Sequence, residues 1–148
     1  MGFTTERQAL EMHWAANWTL TPTRYEAQAG FVQPGTMNVA RQAWVALYIR
    51  NTSSQRASIG ATLVVRRHAG LIIAQIFTDL NTGTNPARTL ADVAADIWRD
   101  RTLTFNQYAG GENEYLVCGE PALNQIGDDG HGWFQTNVTT PYRRDDIF

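Results

Sequence analysis

The stretch LVVRRHAGLIIAQIF, from Leu63 to Phe77, decides the fold of this chain. Its apolar residues fall on both faces of an extended backbone, whereas a strand exposed on one side alternates apolar and polar residues. We therefore predict a central strand of a sheet, from about Ala61 to Thr78, that is covered on both sides. Gly70 is expected to mark a bulge or bend in its middle.

A polar loop and an amphipathic helix follow this strand. Asn85 is a typical N-cap residue, and Pro86 suits the first position of a helix. Apolar residues then recur at helical spacing, which predicts a helix that ends near Arg101. This helix can fold back over one face of the central strand, and what covers the other face is the question that bears most on function.

The N-terminal segment predicts another helix, from about Glu6 to Asn17. Thr5 and Gln8 have the spacing of a capping box at its start. Three large apolar side chains recur every fourth residue, and we expect this stripe to pack on the sheet because each aromatic ring buries on the order of 150–250 Å². The stripe consists of Leu10, Trp14 and Trp18.

Alternation and turn residues predict the remaining strands. The polar run NTSSQRAS, from Asn51 to Ser58, is predicted to be an exposed hairpin loop. The run YRRDDIF after Pro141 is predicted to be a short mobile C-terminal tail. The predicted strands are Arg24–Ala29, Ala43–Arg50, Thr102–Phe105, Tyr115–Cys118, Pro121–Ile126 and Trp133–Thr140.

These elements predict a single α+β domain over residues 1–148, with a mixed, mainly antiparallel sheet of about five or six strands and two helices packed on one face. The chain is 43% hydrophobic and 18% charged, which excludes a disordered protein. Its 12 basic and 14 acidic residues nearly cancel, which excludes the broad positive field of an autonomous nucleic-acid binder. With no export signal or long apolar run, we expect no membrane association.

Candidate catalytic residues are few. Asp128, Asp129 and His131 are metal-ligand types, but Asp-Asp-Gly is also what a hairpin turn requires. Cys118 lies in the apolar run YLVCG, which favours a buried side chain over a reactive thiol. Glu112, Glu114 and Glu120 offer paired carboxylates, and solvated charges explain them equally well. We expect no catalytic residue, no metal and no cofactor.

The apolar strand surface exceeds what two helices can cover. In a chain of this size, two helices shield one face of a sheet and leave the opposite face short of cover. A neighbouring copy or another protein would supply the cover, since exposed apolar patches usually mark interfaces. A sheet that curls enough to cover itself is the alternative, and the sequence leaves both open.

One long segment resembles a known family. RRHAGLIIAQIFTDLNTGTNPARTLADVAADIW, from Arg66 to Trp98, is similar to the corresponding segment of phage tail terminator-like proteins. There an arginine or a neighbouring polar residue, together with a glycine, precedes an apolar strand that ends in phenylalanine. A Gly-containing loop and a helix with Ala-Asp pairs follow. The opening helix with its tryptophan, the FVQP turn at Phe31 and the closing GWFQTNVTTPYRR extend the similarity over roughly Thr4 to Arg144.

The resemblance implies a structural protein of the virion, located at the head-proximal end of a long, non-contractile tail and assembled in the host cytoplasm. It implies a homo-hexameric ring that binds the last ring of tail-tube subunits, stops tube polymerisation and offers its other face to the head-completion or neck complex. Genomic DNA would pass through the ring without specific binding. This role requires no catalytic residue and no cofactor.

Exposed segments are the candidate contacts with partners. Polar loops and chain ends reach neighbouring molecules, and none of these contacts is carried over from the family. The residues are Asn51, Thr52, Ser53, Ser54, Gln55, Arg56, Asp79, Leu80, Asn81, Thr82, Asn85, Tyr142, Arg143 and Arg144. The alternative functions are another neck or head-completion protein, or a small metal-dependent enzyme or ligand-binding domain that uses the Asp128–His131 turn.

Overall fold

The computed structural model describes residues 2–36, 38–57, 64–104 and 115–147. Two helices and a curled, mixed sheet of seven strands confirm the α+β prediction, although the strand count exceeds the predicted five or six. In chain order the elements are α1 (Phe3–Asn17), β1 (Thr23–Tyr25), β2 (Trp44–Arg56), β3 (Val65–Asp79), α2 (Asn85–Trp98), β4 (Thr102–Thr104), β5 (Tyr115–Cys118), β6 (Ala122–Asp128) and β7 (Trp133–Ile147).

The sheet has the order β1-β2-β3-β7-β5-β4, and β6 pairs with the first half of β7. β1 runs parallel to β2, and the other pairs are antiparallel. β3 lies between the two other long strands, which confirms the central position predicted from its apolar faces. The predicted residues from Ala61 to Leu63 lie outside the described part of the chain.

Both helices pack on one face of the sheet, as predicted. Leu10, Trp14 and Trp18 are buried, so the predicted stripe faces the core. The ring of Trp14 stacks on Trp18, with centroids 4.7 Å apart, and on Trp98 of α2 at 6.0 Å. These rings join the two helices to each other and to the apolar side chains that β2, β3 and β7 direct toward them.

Among the residues that the structure describes, the opposite face is covered at one end only. There Trp44 and Phe77 stack with centroids 4.1 Å apart, and Trp133 meets Trp44 edge-on at 6.2 Å. The segment between β1 and β2 covers this cluster, because Phe31 packs on Trp44 and the guanidinium of Arg41 lies 3.8 Å from the Trp133 ring centroid. Farther along this face, some side chains of β2 and β3 are only half-buried; they are Tyr48, Leu71 and Ile73.

The prediction of a hairpin loop is wrong for Asn51–Arg56, because these residues are the second half of β2. Their partners in the ladder run from Arg66 to Gly70 of β3, with one register shift between Asn51 and Ser53. The irregularity predicted at Gly70 therefore lies on the neighbouring strand. Polar composition correctly indicated exposed side chains, but β3 supplies backbone partners that an isolated stretch of sequence cannot show.

The predicted tail is also corrected, because β7 continues through Pro141 to Ile147. The carbonyl of Pro141 accepts a hydrogen bond from the Gly119 amide at 2.8 Å. The backbone nitrogen and oxygen of a strand residue point toward the same edge. The proline nitrogen, which carries no hydrogen, therefore points toward the gap between β5 and β6. The ladder with β3 loses no hydrogen bond, and the strand does not end.

Several element boundaries differ from those predicted. α1 begins at Phe3 after Gly2, without a side-chain cap, so the Thr5–Gln8 capping box is wrong. Thr84, not Asn85, is the N-cap of α2, which ends at Trp98 because the chain turns through Asp100 at a φ of +51°. β1 ends at Tyr25 instead of Ala29, and β6 ends at Asp128 instead of Ile126. Phe105, the predicted end of β4, lies outside the described residues.

His13 joins α1 to α2 and makes stability depend on pH. Its Nε2 donates to the carbonyl of Ile97 at 3.0 Å. Burial, aided by the charge of Arg101, lowers the pKa of His13 below its usual 6.5. The unfolded chain therefore binds a proton at a pH where the folded chain does not, and the free energy of unfolding falls as the pH drops through about 6.5.

We expect His13→Gln to weaken this pH dependence. The glutamine amide can still donate to Ile97 but does not titrate, so urea unfolding at pH 7.5 and 5.5 should show a smaller loss of stability in the variant. Equal losses in both proteins would show that His13 is not the group responsible.

Candidate functional site

A cluster of polar side chains with a buried centre joins α1 to the far end of the sheet, where β2, β3 and β7 lie side by side. Glu6 of α1 is 1% exposed, and Arg144 and Asp146 of β7 are 1% and 4% exposed. Half-buried His68 of β3 and exposed Asn51 of β2 complete the cluster around these three residues. We call these five residues the buried polar cluster.

Its ion pairs are short. The guanidinium of Arg144 donates through Nε to Glu6 Oε1 at 2.9 Å and through Nη1 to Asp146 Oδ1 at 2.6 Å. The second oxygen of Asp146 lies 3.1 Å from His68 Nε2. The second oxygen of Glu6 accepts from the Asn51 amide at 2.9 Å. All four carboxylate oxygens are therefore engaged.

Two aromatic side chains contact the cluster. The Tyr142 hydroxyl lies 3.2 Å from the Asn51 amide nitrogen, and burial together with the charge of Glu6 raises the pKa of Tyr142 well above its usual value. The ring of Phe3 packs edge-on against His68, with centroids 5.4 Å apart, and lies under the Arg144 guanidinium at 5.1 Å. This geometry holds strands in place and leaves no carboxylate oxygen unengaged as a base or a metal ligand.

The cluster was not predicted, because a mobile tail was expected where the second half of β7 lies. A signal was present: Tyr142, Arg144 and Asp146 continue the alternation of Val138 and Thr140, which face the helices. Extending that alternation past Pro141 would have placed a guanidinium and a carboxylate in the core.

The candidate contact residues divide into exposed and buried groups. Asn51–Arg56 are exposed, as is Arg143. Leu80 and Asn81 form the turn after β3, and Asp79 pairs with Arg41. Tyr142 and Arg144 are 3% and 1% exposed, so the premise that they are exposed is wrong. Thr82 and Asn85 are also exposed, beside the start of α2.

The run from Asp128 to His131 is a hairpin turn, the structural alternative considered for it. Asp128 Oδ1 accepts from the Gly130 amide at 2.8 Å. Asp129 Oδ1 accepts from the amides of His131 and Trp133 at 2.7 and 3.1 Å. Both carboxylates therefore stabilise the turn. The described residues contain no group of three or more His, Cys, Asp or Glu side chains placed to hold a metal ion.

Of the three glutamates considered as a carboxylate pair, Glu112 and Glu114 lie outside the described residues. Glu120 is 3.2 Å from the Arg99 guanidinium, which is a surface ion pair.

Cys118 is buried, as expected. It is 2% exposed, and burial raises the pKa of its thiol to about 12. Because the thiolate is the reactive form, we expect a thiol-specific reagent at pH 8 to leave the native protein unlabelled and to label it rapidly in urea. Labelling of the folded protein at the rate of free cysteine would contradict this assignment.

Among the described strands, β6 combines exposed apolar side chains with an unpaired backbone edge. Leu123 and Ile126 are 43% and 49% exposed. β6 pairs with β7 along one edge, and in the described chain no strand pairs with its other edge. No charge interrupts the strand from Ala122 to Gly127. Such an edge is a template for pairing with another strand.

Neither α1 nor α2 has the length and apolar character needed to cross a membrane.

Comparison with known proteins establishes the fold alone. No protein-family model matches the sequence, and no curated protein matches it. A solved structure that carries no functional description superposes with a TM-score of 0.65 at 15% sequence identity, and the match covers 97% of this chain and 96% of that one. At this identity the two proteins share an architecture, and nothing about activity or partners follows.

Proposed function

We propose that this chain is a tail terminator, a structural virion protein that assembles into a hexameric ring on the last ring of the tail tube. The observation that carries the proposal is apolar sheet surface that the chain's own helices do not cover. Leu71 and Ile73 are only half-buried on the face opposite the helices, and Leu123 and Ile126 are exposed on β6. Neighbouring copies would bury this surface.

The buried polar cluster supports a structural role. Its carboxylate oxygens are engaged by Arg144, His68 and Asn51, so they hold α1 against the far end of the sheet. A rigid subunit loses less conformational entropy when it assembles. The sequence resemblance described above and the α+β fold are consistent with this proposal.

The proposed mechanism is steric. A ring complementary to the open end of the tube covers the surface to which the next ring of tube subunits would bind, and polymerisation stops. Its opposite face would then bind the head-completion or neck protein, while genomic DNA passes through the opening without specific contacts. Every step is a binding event between surfaces, so none requires a cofactor.

The direct test is assembly of tail tubes in the presence of the purified protein. We expect tubes that stop growing when the protein is added, with density at one end in electron micrographs. Particles that lack the protein should have overlong or headless tubes. If tube length is unaffected in both experiments, the terminator role is wrong, and tails of normal length without heads would favour a neck protein instead.

A further inference from the structure

Two strand edges of this sheet lie at the same level on opposite sides. β1 pairs with β2 and β6 pairs with β7, and neither has a second partner among the described strands. Cross-strand register connects them through β2, β3 and β7. One row of paired residues runs Tyr25, Leu47, Ala74, Val138, Leu123, and the next runs Arg24, Ala46, Gln75, Asn137, Asn124.

The directions of the two edge strands are also complementary. β1 is parallel to β2, and three antiparallel steps then lead through β3 and β7 to β6. β6 therefore runs opposite to β1. A second copy related by rotation about an axis roughly along the strands would place its β1 antiparallel to β6 of the first copy, the geometry in which facing residues exchange N–H···O bonds.

We propose that β6 of one copy pairs with β1 of the next, so that the sheet continues from subunit to subunit. This inference rests on the proposed ring and names the contact that closes it. Each copy contributes two different edges, and a head-to-tail contact of this kind generates a closed ring when the rotation closes.

Side-chain chemistry agrees with this pairing. Leu123 and Tyr25 belong to the same row and lie on the face that carries the helices, where apolar contact would extend the core cluster. Arg24 and Asn124 lie on the opposite face, so no like charges would meet. In the alternative arrangement, β6 would pair with β6 of a second copy and β1 would remain unpaired. Cross-linking distinguishes this arrangement from β1–β6 pairing.

Cysteine cross-linking between differently labelled copies tests the pairing. One variant carries Arg24→Cys in β1, and another carries Asn124→Cys in β6, with Leu123→Cys and Gln125→Cys covering a shift of one residue in register. Under mild oxidation we expect disulfide-linked dimers only when β1 and β6 variants are mixed. The matched control is Ala16→Cys, exposed on α1, and the buried Cys118 does not compete.

The double variant Arg24→Cys, Asn124→Cys should give a ladder of linked species that ends at the closed ring. Cross-linking of the β6 variants alone would overturn the proposal in favour of β6–β6 pairing. A ring seen by native mass spectrometry or on tube ends, without β1–β6 cross-links at any register, would overturn the proposal and leave the terminator role standing. If no ring forms in solution or on tubes, both are wrong.

A charged edge provides an independent measurement. Leu123→Lys places a charge on β6, and we expect the concentration needed for half-assembly to rise at least about 10-fold because edge lysines oppose strand pairing. Met12→Lys, on α1 at a site that is 50% exposed and belongs to neither strand, is the control and should leave assembly unchanged. Equal assembly by both variants would contradict the proposal, provided that circular dichroism shows both to be folded.

Discussion

Replacing Arg144 with methionine is expected to lower the free energy of unfolding by about 3–5 kcal/mol, the usual cost of removing one partner from a buried ion pair. Arg144 bonds to two carboxylates, Glu6 and Asp146, that are almost completely buried. Methionine fills a similar volume but leaves both carboxylates in the core without their cation. Urea unfolding at neutral pH, followed by tryptophan fluorescence, measures the effect.

The adjacent residue supplies a matched control. Arg143 belongs to the same strand but is exposed, so Arg143→Met should change stability by no more than about 0.5 kcal/mol. Replacing Glu6 and Asp146 with leucine in the Arg144→Met background removes the unpaired charges and should recover much of the lost stability. A loss in Arg144→Met no greater than in Arg143→Met would show that the buried polar cluster does not hold the sheet together.

Gly70→Ala is expected to destabilise the protein by about 3 kcal/mol, near the upper end of what overpacking costs. A Cβ at this position would lie 2.5 Å from Cζ and the hydroxyl oxygen of Tyr142, and 2.6 Å from the backbone oxygen of Arg50. The tyrosine is itself buried against the core, and a backbone oxygen in a paired strand cannot move aside. Thermal and urea unfolding of the variant measure the loss.

Gly2→Ala is the control for this substitution, because a Cβ there meets nothing within 4 Å. Adding Tyr142→Leu to Gly70→Ala should not restore wild-type stability, since the clash with Arg50 remains and a buried ring is lost. Wild-type stability in Gly70→Ala would mean that the close approach of Tyr142 to β3 is not required.

The sequence predicted the parts of this protein that depend on local pattern. Apolar residues on both faces placed β3 at the centre of the sheet, and helical periodicity located both helices. The Asp-Asp-Gly turn and the burial of Cys118 also followed from their neighbours in the chain. Each of these features is decided by residues a few positions apart, so a single sequence carries the signal.

Strand length and the buried polar cluster depended on distant residues. The polar side chains from Asn51 to Arg56 indicated that this segment is exposed. Exposed side chains occur both in loops and in strands at the edge of a sheet, and only the pairing with β3 shows that this segment is a strand. Pro141 normally ends a strand, and here the gap between β5 and β6 accommodates it. The candidate contact residues also depended on distant residues. Tyr142 and Arg144 were predicted to be exposed because they lie near the chain end, but pairing of β7 buries them.

Residue patterns by themselves therefore determined an α+β domain with a central apolar strand and two helices on one face, because burial of apolar side chains follows local periodicity. Tertiary structure alone decided that the last residues of the chain enter the core as the second half of β7. It also decided that Glu6 meets Arg144 across 138 positions of sequence, and that β1 and β6 lie at the same level on opposite edges of the sheet. These features depend on pairing between residues that lie far apart in the sequence, and only folding brings those residues together.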